Sequence, residues 1–316
     1  MGMGVMKEER RSKRSLGDIV RLSAADGGMM GLQEVGRESV PAASQAICVA
    51  SGKGGTGKTI FSTNVGVMLA RQNFRVTLID ADLGLANAHL LLGLDPAHDI
   101  SQLVGGELTI DDVLVDGPHG LKILPGGSGI AELADLNEGK VQYLAHQLMQ
   151  LDDRSDITLI DCSAGITRQV LRFLSSAHGL VVVTTPEVTS MIDGYAVIKN
   201  VHRLCPDMPI WLVVNRVRQP EDAQMVFEKM RTIVRKRLGK VKLSLLGSVP
   251  HDRYVSRSVM IREPVVLAHP RSFATSCFRD MASTIAIAHA RWKAAQHKEE
   301  DLAPSYFWSL ARRRYE

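Results

Sequence analysis

Short apolar runs rich in β-branched residues alternate with amphipathic stretches along the central part of the chain. The runs predict buried strands, because a strand covered on both faces shows little polar alternation. Between them, apolar residues recur at the three- and four-residue spacing of helices. The predicted strands cover 46–50, 75–80, 121–125, 157–161, 180–185, 210–215 and 243–249, and the predicted helices cover 58–71, 138–150, 167–177, 190–203, 221–237 and 272–297. This alternation predicts an α/β fold, with a doubly wound, mainly parallel sheet and helices on both faces.

The two ends of the chain differ from this central part. Residues 1–44 lack strong periodicity and carry the basic cluster Arg10-Arg11-Ser12-Lys13-Arg14, which predicts a flexible arm with a short helix across 16–22. Residues 45–297 contain the predicted strands and long helices and form the expected α/β domain. Residues 298–316 follow the last predicted helix and form a separate tail.

The most informative segment is a glycine-rich turn between the first predicted strand and the first predicted helix. Continued into the helix, it reads Gly52-Lys53-Gly54-Gly55-Thr56-Gly57-Lys58-Thr59-Ile60. Backbone N–H groups in such a turn converge on an anion, and the helix directs the positive end of its dipole at the same point. We expect Lys58 to pair with the β- and γ-phosphates of a nucleotide and the Thr59 hydroxyl to ligate Mg²⁺.

Three aspartates lie at or just beyond the ends of predicted strands. Asp80 ends the strand at 75–80, Asp82 follows it, and Asp161 ends the strand at 157–161. Because ligands of open α/β sheets bind at the carboxyl ends of the strands, we expect these carboxylates beside the phosphates, where they hold Mg²⁺ or orient water. For Asp80 and Asp82 the alternative is that they cap a helix. Gly165 would allow the backbone to approach the γ-phosphate.

The second lysine of the turn, Lys53, makes the pattern more specific. The form Lys-Gly-Gly-Thr-Gly-Lys-Thr, together with the segments at 78–87, 184–187, 195–199 and 213–217, resembles the MinD/ParA family of P-loop ATPases over about residues 46–285. Within that family it is most similar to the FlhG branch, also called FleN or YlxH. The resemblance implies that Lys53 reaches across a nucleotide-sandwich homodimer to the partner's phosphates. The alternative is a solvated lysine that serves its own site.

The same resemblance implies roles for the other polar positions. Asp82 would orient the attacking water, and Asp80 would support the metal shell that Thr59 and Asp161 hold. The implied catalytic residues are therefore Lys53, Lys58 and Asp82. The implied cofactors are ATP or ADP with Mg²⁺, and the residues expected around the adenine are Asn215, Arg216, Pro250 and Asp252. For Asn215 an alternative exists, because asparagine often simply ends a strand.

Together these features predict an ATP-dependent dimerisation switch with slow ATP hydrolysis. The FlhG-like segments imply a regulator of the number or placement of flagella or another polar structure, with an FlhF-like GTPase or a flagellar switch or regulator protein as partner. One departure is that the Asp-Gln-Ala-x-x-Leu-Arg motif, which stimulates FlhF in that branch, is absent from residues 1–45. A ParA-type DNA or cargo partition ATPase and a septum-site ATPase of the MinD type remain as alternatives.

Composition bears on these alternatives. The 316 residues are 45% hydrophobic and 23% charged, as is ordinary for a globular protein, and they are sufficient for one large domain. The formal net charge of +4 is small, which argues against DNA as a partner. A partition ATPase would need a basic face, which the cations at 231, 235–237, 240 and 242 can supply unless they form an ordinary solvated helix face.

Cysteine usage and hydropathy exclude further classes. The four cysteines are scattered, which argues against a disulfide framework, a zinc site or an iron–sulfur carrier; two of them, Cys48 and Cys162, lie in predicted buried strands. Intact Asp82 and Asp161 argue against a scaffold that binds nucleotide without hydrolysis. Without a signal peptide or a bilayer-spanning apolar segment, the expected location is the cytoplasm.

The C-terminal tail combines aromatic and basic residues. It contains Tyr306-Phe307-Trp308, Leu310 and Arg312-Arg313-Arg314, and Pro304 can open a helix. Such a helix suits the surface of an anionic membrane, with the rings among the lipid headgroups, so we expect peripheral association with the inner face of the cytoplasmic membrane. The family resemblance also implies a membrane helix here. The alternatives are a tail that docks on the domain, its aromatics filling a groove, or one that binds a protein partner.

Overall fold

One large sheet organises the protein. The computed structural model describes residues 20–22, 32–34, 44–82, 86–127, 138–296 and 305–307. The eight strands of the sheet are β3 (Gln45–Ala50), β4 (Val76–Ala81), β5 (Val115–Asp116), β6 (Lys122–Leu124), β7 (Ile157–Cys162), β8 (Gly179–Thr184), β9 (Ile210–Val217) and β10 (Leu243–Pro250). They lie in the order β10-β9-β8-β3-β7-β4-β6-β5.

The pairing confirms the predicted parallel sheet. Every neighbouring pair is parallel except β5 and β6, which pair antiparallel at one edge. The strand that precedes the glycine-rich turn, β3, lies between β7 and β8. In the adjacent strands β4 and β7, Asp80 is the register partner of Asp161. The parallel arrangement therefore brings the predicted site residues to one edge of the sheet.

The helices cover both faces of this sheet. They are α1 (Lys58–Arg71), α2 (Ala88–Leu91), α3 (Ile100–Gly105), α4 (Ile110–Val113), α5 (Glu138–Met149), α6 (Arg168–Ser176), α7 (Val188–Leu204), α8 (Pro220–Leu238), α9 (Arg253–Met260), α10 (Val265–Ala268) and α11 (Phe273–Gln296). The six helices expected from periodicity are all present. The short helices α2, α3, α4, α9 and α10 were not predicted, because four to eight residues are too few to show a helical period.

Two cores lie on opposite faces of the sheet. Side chains of successive strand residues point to opposite faces, so Cys48 of β3 belongs to one core and Val49 to the other. Helices α5 to α8 cover the first core, and α1 and α11 cover the second. No helix in the described segments has the length and apolar character that crossing a bilayer requires.

The expected short helix at 16–22 is wrong where the structure describes it. Val20–Leu22 form strand β1, which pairs antiparallel with β2 (Leu32–Glu34). Three residues are too few to distinguish a strand from a helix by periodicity, and the pairing partner lies ten residues further on, outside any local pattern. The basic cluster at 10–14 lies outside the described residues.

The described part of the tail is docked on the domain. Tyr306 and Phe307 are 1% and 0% exposed and belong to the first core, and the Ser305 hydroxyl donates to the Asp152 carboxylate. We expected Tyr306 to face lipid; in this structure it packs against protein instead, because the core offers an apolar site that buries both rings. The described residues thus follow the alternative in which the tail docks on the domain and its aromatic rings fill a groove. Trp308, Leu310 and the arginines at 312–314 lie outside the described residues.

Candidate nucleotide-binding site

The glycine-rich turn connects the central strand β3 to α1 at the carboxyl edge of the sheet. Gly55 and Gly57 have φ angles of 73° and 96°, a left-handed conformation that L-residues with side chains rarely adopt. Gly57 immediately precedes the first residue of α1, Lys58, so the turn ends with backbone N–H groups at the positive end of the helix dipole. The local sequence thus determines the shape of an anion-binding loop.

Gly52 and Gly57 show how closely remote parts of the chain hold the loop. A methyl group on Gly52 would lie 2.2 Å from the carbonyl carbon of Asp193 in α7, and one on Gly57 would lie 2.2 Å from Nδ2 of Asn215 in β9. The same Asn215 nitrogen donates to the Thr56 carbonyl at 2.7 Å. The loop is therefore fixed from both β9 and α7.

A buried hydroxyl in the loop has no partner among the described residues. Thr56 is 1% exposed, yet its Oγ1 makes no hydrogen bond. Buried polar atoms of this kind are rarely left unpaired, and they point to a ligand or water that completes the bonding. The Lys58 side chain is also buried, at 8% exposed, beside this loop. A cation, a free hydroxyl and a turn of N–H groups together suit a phosphate.

The carboxylate of Asp161 lies below the loop at the end of β7. Its Oδ1 accepts from Ser62 Oγ at 3.2 Å, and the Thr59 hydroxyl also donates to it. Burial, with a smaller contribution from the nearby Asp80, raises the pKa of Asp161 to about 7, although Thr59, Lys58 and Ser62 act in the opposite direction. A bound divalent cation would favour the ionised form.

The donor set at this point suits Mg²⁺. The Thr59 hydroxyl and Asp161 supply oxygen ligands, and Mg²⁺ at nucleotide sites normally takes few protein ligands and completes its shell with phosphate and water. Within the described ranges, no group of three or more acidic, histidine or cysteine side chains forms a metal cage of its own. The arrangement therefore fits a metal that arrives with a nucleotide.

Asp80 and Asp82 have different surroundings in the structure. Both oxygens of Asp80 accept backbone N–H groups, from Asp82 at 3.1 Å and from Asn87 and Ala88 at 2.8 and 2.9 Å. Asp80 is 1% exposed, and burial raises its pKa to about 6 against these hydrogen bonds. Since Ala88 begins α2, Asp80 fulfils the helix-capping alternative. Asp82 lies just beyond the end of β4 and is half-buried, at the border of the site.

Lys53 is directed away from its own loop. Its Nζ lies 2.6 Å from Oε2 of Glu187 and 3.2 Å from Oγ1 of Thr189, at the beginning of α7. The ion pair is open to solvent, with the two side chains 35% and 59% exposed, and Lys53 lowers the pKa of Glu187. In the single chain, the second lysine therefore neutralises a carboxylate at the rim and is placed where a second molecule can reach it.

The four positions expected around adenine lie at the ends of neighbouring strands β9 and β10. Asn215 is buried within β9 and donates to the loop, so it does more than end a strand, which was the alternative for this residue. Arg216 is exposed and has a φ of 58°. Pro250 ends β10, and Asp252 caps α9 by accepting from Tyr254 N at 2.8 Å. Pro250 and Asp252 line an open cleft of about 900 Å³. The described structure does not show Asn215 or Arg216 lining that cleft.

Several residues of the site were not identified from the sequence. Ser62 and Asp193 contact the site from helices and belong to no recognisable motif. Glu187 entered the sequence analysis only within the segment 184–187, and its charge, opposite to that of Lys53, was its only signal. The N–H of Gly165, with a φ of 96°, donates to the Ser51 carbonyl at 2.9 Å, so the segment after β7 is joined to the loop.

Comparisons with known proteins agree with this geometry. The family model described as the CobQ/CobB/MinD/ParA nucleotide binding domain matches residues 47–265. The antiactivator FleN of Pseudomonas aeruginosa is 35% identical over 241 residues, which are 76% of this chain and 86% of that protein. The flagellum site-determining protein YlxH of Helicobacter pylori is 29% identical, with 69% of this chain and 73% of that protein covered.

Among solved structures, the septum site-determining protein MinD of Pyrococcus horikoshii, complexed with Mg-ADP, has the same fold. It is 25% identical, with a TM-score of 0.64, and the match covers 81% of this chain and 99% of that one.

Proposed function

The chain belongs to the CobQ/CobB/MinD/ParA family of nucleotide-binding proteins, and from that premise we propose that it is an ATP-dependent dimerisation switch with slow hydrolysis. ATP and Mg²⁺ bind at the turn between Gly52 and Thr59. Two chains then enclose the nucleotides, and hydrolysis returns the monomer. This proposal extends the family's nucleotide binding to a cycle of assembly and disassembly.

The observation that carries the proposal is the convergence of Thr56, Lys58 and Asp161 at one point. The unpaired Thr56 hydroxyl and the buried Lys58 are suited to an anion, and Asp161 with its Thr59 contact is suited to a metal. A buried cation and a buried carboxylate are costly to keep without partners. A nucleotide with its metal would satisfy both groups, which is why nucleotide binding explains their placement.

Each residue has a defined part in the proposed cycle. When bound, Mg²⁺ would neutralise phosphate charge. Thr59 and Asp161 would hold that ion, and Lys58 would pair with the phosphate oxygens. Asp80 holds the segment after β4 through its backbone bonds, so it supports the metal site from behind. Asp82, for which the described residues show no such backbone bonds, orients the attacking water.

Lys53 provides the link between nucleotide and assembly. In the single chain it pairs with Glu187 at a solvent-exposed rim, where the pair is worth little. The γ-phosphate of a second chain is a stronger partner, because it carries more charge and becomes buried on assembly. Lys53 therefore exchanges Glu187 for the partner's phosphate when two ATP-loaded chains meet.

Light scattering after size exclusion tests this role directly. Lys53→Ala should remain monomeric with ATP and Mg²⁺, whereas wild type forms dimers. Lys293→Ala is the matched control, because Lys293 is an exposed lysine on α11. Normal dimerisation of Lys53→Ala would refute the crossing role.

Hydrolysis is tested at Asp82. Asp82→Ala should bind ATP with wild-type affinity and accumulate as the dimer, while phosphate release falls by about 100-fold. An unchanged turnover rate would exclude Asp82 as the residue that orients water. Failure of wild type to bind ATP with Mg²⁺ in calorimetry would refute the proposal as a whole.

For biology, we propose that the switch regulates the number or placement of flagella. The similarity to FleN and YlxH supports this choice, and septum placement is the alternative, because the septum site-determining protein MinD of Synechocystis is also 35% identical. The proposed partners are an FlhF-like GTPase or a flagellar regulator. Counting flagella in a deletion strain tests it: an altered number or position is expected, and a septum defect with normal flagella would favour the MinD-type alternative. An ATP-dependent DNA gel shift would favour partition.

We place the protein in the cytoplasm, with membrane contact only when the tail is released. Tyr306 and Phe307 cannot reach lipid while they are buried in the core. Co-sedimentation with anionic liposomes should therefore be weak without nucleotide and stronger with ATP. Deletion of 302–316 should abolish it. Equal binding by the truncated chain would exclude the tail as the membrane contact.

A further inference from the structure

A buried carboxyl joins the two ends of the described α/β domain. Asp152, which precedes β7, accepts a hydrogen bond from the Ser305 hydroxyl of the tail and another from the backbone N–H of Ser44, just before β3. Both β3 and β7 begin at the amino edge of the parallel sheet, opposite the glycine-rich turn. The nucleotide site therefore does not use Asp152, which instead contacts the segments that lead to the N-terminal arm and the C-terminal tail.

The hydrogen bonding of this carboxyl is incomplete. Asp152 is 7% exposed, and its Oδ1 has no hydrogen-bond partner among the described residues. The Ser305 hydroxyl donates to the other oxygen, Oδ2. A neutral carboxyl loses less hydration on burial than a carboxylate, so an unpaired oxygen costs less when the group keeps its proton. The surroundings of Asp152 thus favour the neutral acid.

The charged groups around Asp152 do not offset the charge of its ionised form. No ion pair among the described residues includes it, and the nearby cations Arg75 and Arg154 are each paired with a different carboxylate. The preceding helix, α5, carries His146 in its last turn. Burial, with a smaller contribution from the neighbouring Asp153, raises the pKa of Asp152 to about 7, although its hydrogen bonds act in the opposite direction.

The docked tail keeps water away from this carboxyl. Tyr306 and Phe307, which follow Ser305, are buried in the first core and hold the tail against the domain. When the tail leaves, Asp152 gains access to water, and its pKa falls towards the ordinary value of about 4. A group whose pKa differs between two states must bias the equilibrium between them. Tail docking is therefore linked to the uptake of a proton.

We propose that Asp152 is a proton-operated latch, whose neutral carboxyl keeps the tail docked on the first core and whose ionisation favours release of the tail. Docking takes up a proton between about pH 4 and about pH 7, so the docking equilibrium is weakest above about pH 7 and strengthens as the pH falls. Between about pH 8 and about pH 6 the change is about tenfold. The freed rings would serve the membrane contact proposed above, and that consequence alone rests on the proposed function.

Hydrogen–deuterium exchange of the full-length chain without nucleotide measures the latch. Exchange at about pH 6 and about pH 8 is followed by mass spectrometry of fragments that contain residues 305–307, and division by the intrinsic exchange rate at each pH gives a protection factor. In wild type this protection factor should be about tenfold higher at pH 6 than at pH 8. Lipid is absent, so the result is independent of the proposed membrane contact.

Variants assign the effect to one carboxyl. Asp152→Asn cannot ionise, so it should protect the tail more strongly than wild type at pH 8, with protection factors that agree within about twofold at the two pH values. Asp153→Asn and His146→Gln are the matched controls, and each should keep a change of at least about fivefold. Phe307→Ala should lower protection at both pH values by a similar factor, because it removes packing and leaves the titrating group in place. Circular dichroism at both pH values confirms that each variant is folded.

The proposal is wrong if wild type shows the same protection at both pH values. It is also wrong if Asp152→Asn lowers protection equally at both, which would make the carboxyl only structural. Retention of the tenfold change in this variant would assign the titration to another group. A tail that is unprotected at both pH values would refute the docking itself.

Discussion

Replacing Asp152 with asparagine should remove a pH-dependent part of the protein's stability. Asp152 lies between α5 and β7, is only 7% exposed, and accepts a hydrogen bond from Ser305 in the docked tail. Burial raises the pKa of this carboxyl to about 7, although the hydrogen bonds from Ser305 and the Ser44 backbone act in the opposite direction. Asparagine is nearly the same size, can still accept from Ser305, and cannot ionise.

The direction in which stability changes with pH follows from proton binding. Between about pH 4 and pH 7 the folded protein keeps a proton on Asp152 that the unfolded chain has released. The contribution of Asp152 to the free energy of unfolding is therefore fully present below about pH 4 and is lost as the pH rises through about 7. A pKa change from about 4 to about 7 corresponds to about 4 kcal/mol. This is an upper limit, because undocking of the tail would hydrate the carboxylate.

Urea unfolding of both proteins at about pH 4.5, 6 and 8 measures the effect. The stability of Asp152→Asn relative to wild type should rise with pH and reach up to about 4 kcal/mol at pH 8. Asp80 and Asp161 are present in both proteins, so their titration cancels in the difference. Asp153→Asn, at the exposed neighbouring position, should show no such rise. A difference that stays constant with pH, or a variant that is less stable at pH 8, would refute the reasoning.

Three further predictions concern the loop and the tail. Gly52→Ala should lower ATP turnover by about 100-fold in a phosphate-release assay, because the methyl group would meet the Asp193 backbone and displace the loop. Asn215→Ala should reduce the free energy of unfolding by about 1–3 kcal/mol in urea titration, because a buried loop carbonyl loses its donor. Phe307→Ala should cost about 3–5 kcal/mol in the same titration, whereas Phe273→Ala, at a 64% exposed position, should cost less than about 0.5 kcal/mol. An equal cost for the two phenylalanines would contradict the docked tail.

The sequence by itself determined the kind and order of the main elements and the backbone shape of the glycine-rich loop. Buried parallel strands are apolar over their whole length and long helices repeat their apolar positions, so both patterns are local and readable. The loop is equally local, since Gly55 and Gly57 are required by the backbone geometry of the turn itself. Asp161 was recognisable because it ends an apolar run.

Tertiary structure alone decided the contacts between distant segments. Lys53 pairs with Glu187, 134 residues away, and Asn215 holds the Thr56 carbonyl from 159 residues away. No periodicity records which strand lies beside which, so the only signal for either pair in the chain was the opposite charge of Lys53 and Glu187. The tail shows the same principle: aromatic rings suit a lipid surface and a protein groove equally well, and Phe307 lies in the core because the packed helices supply an apolar site there.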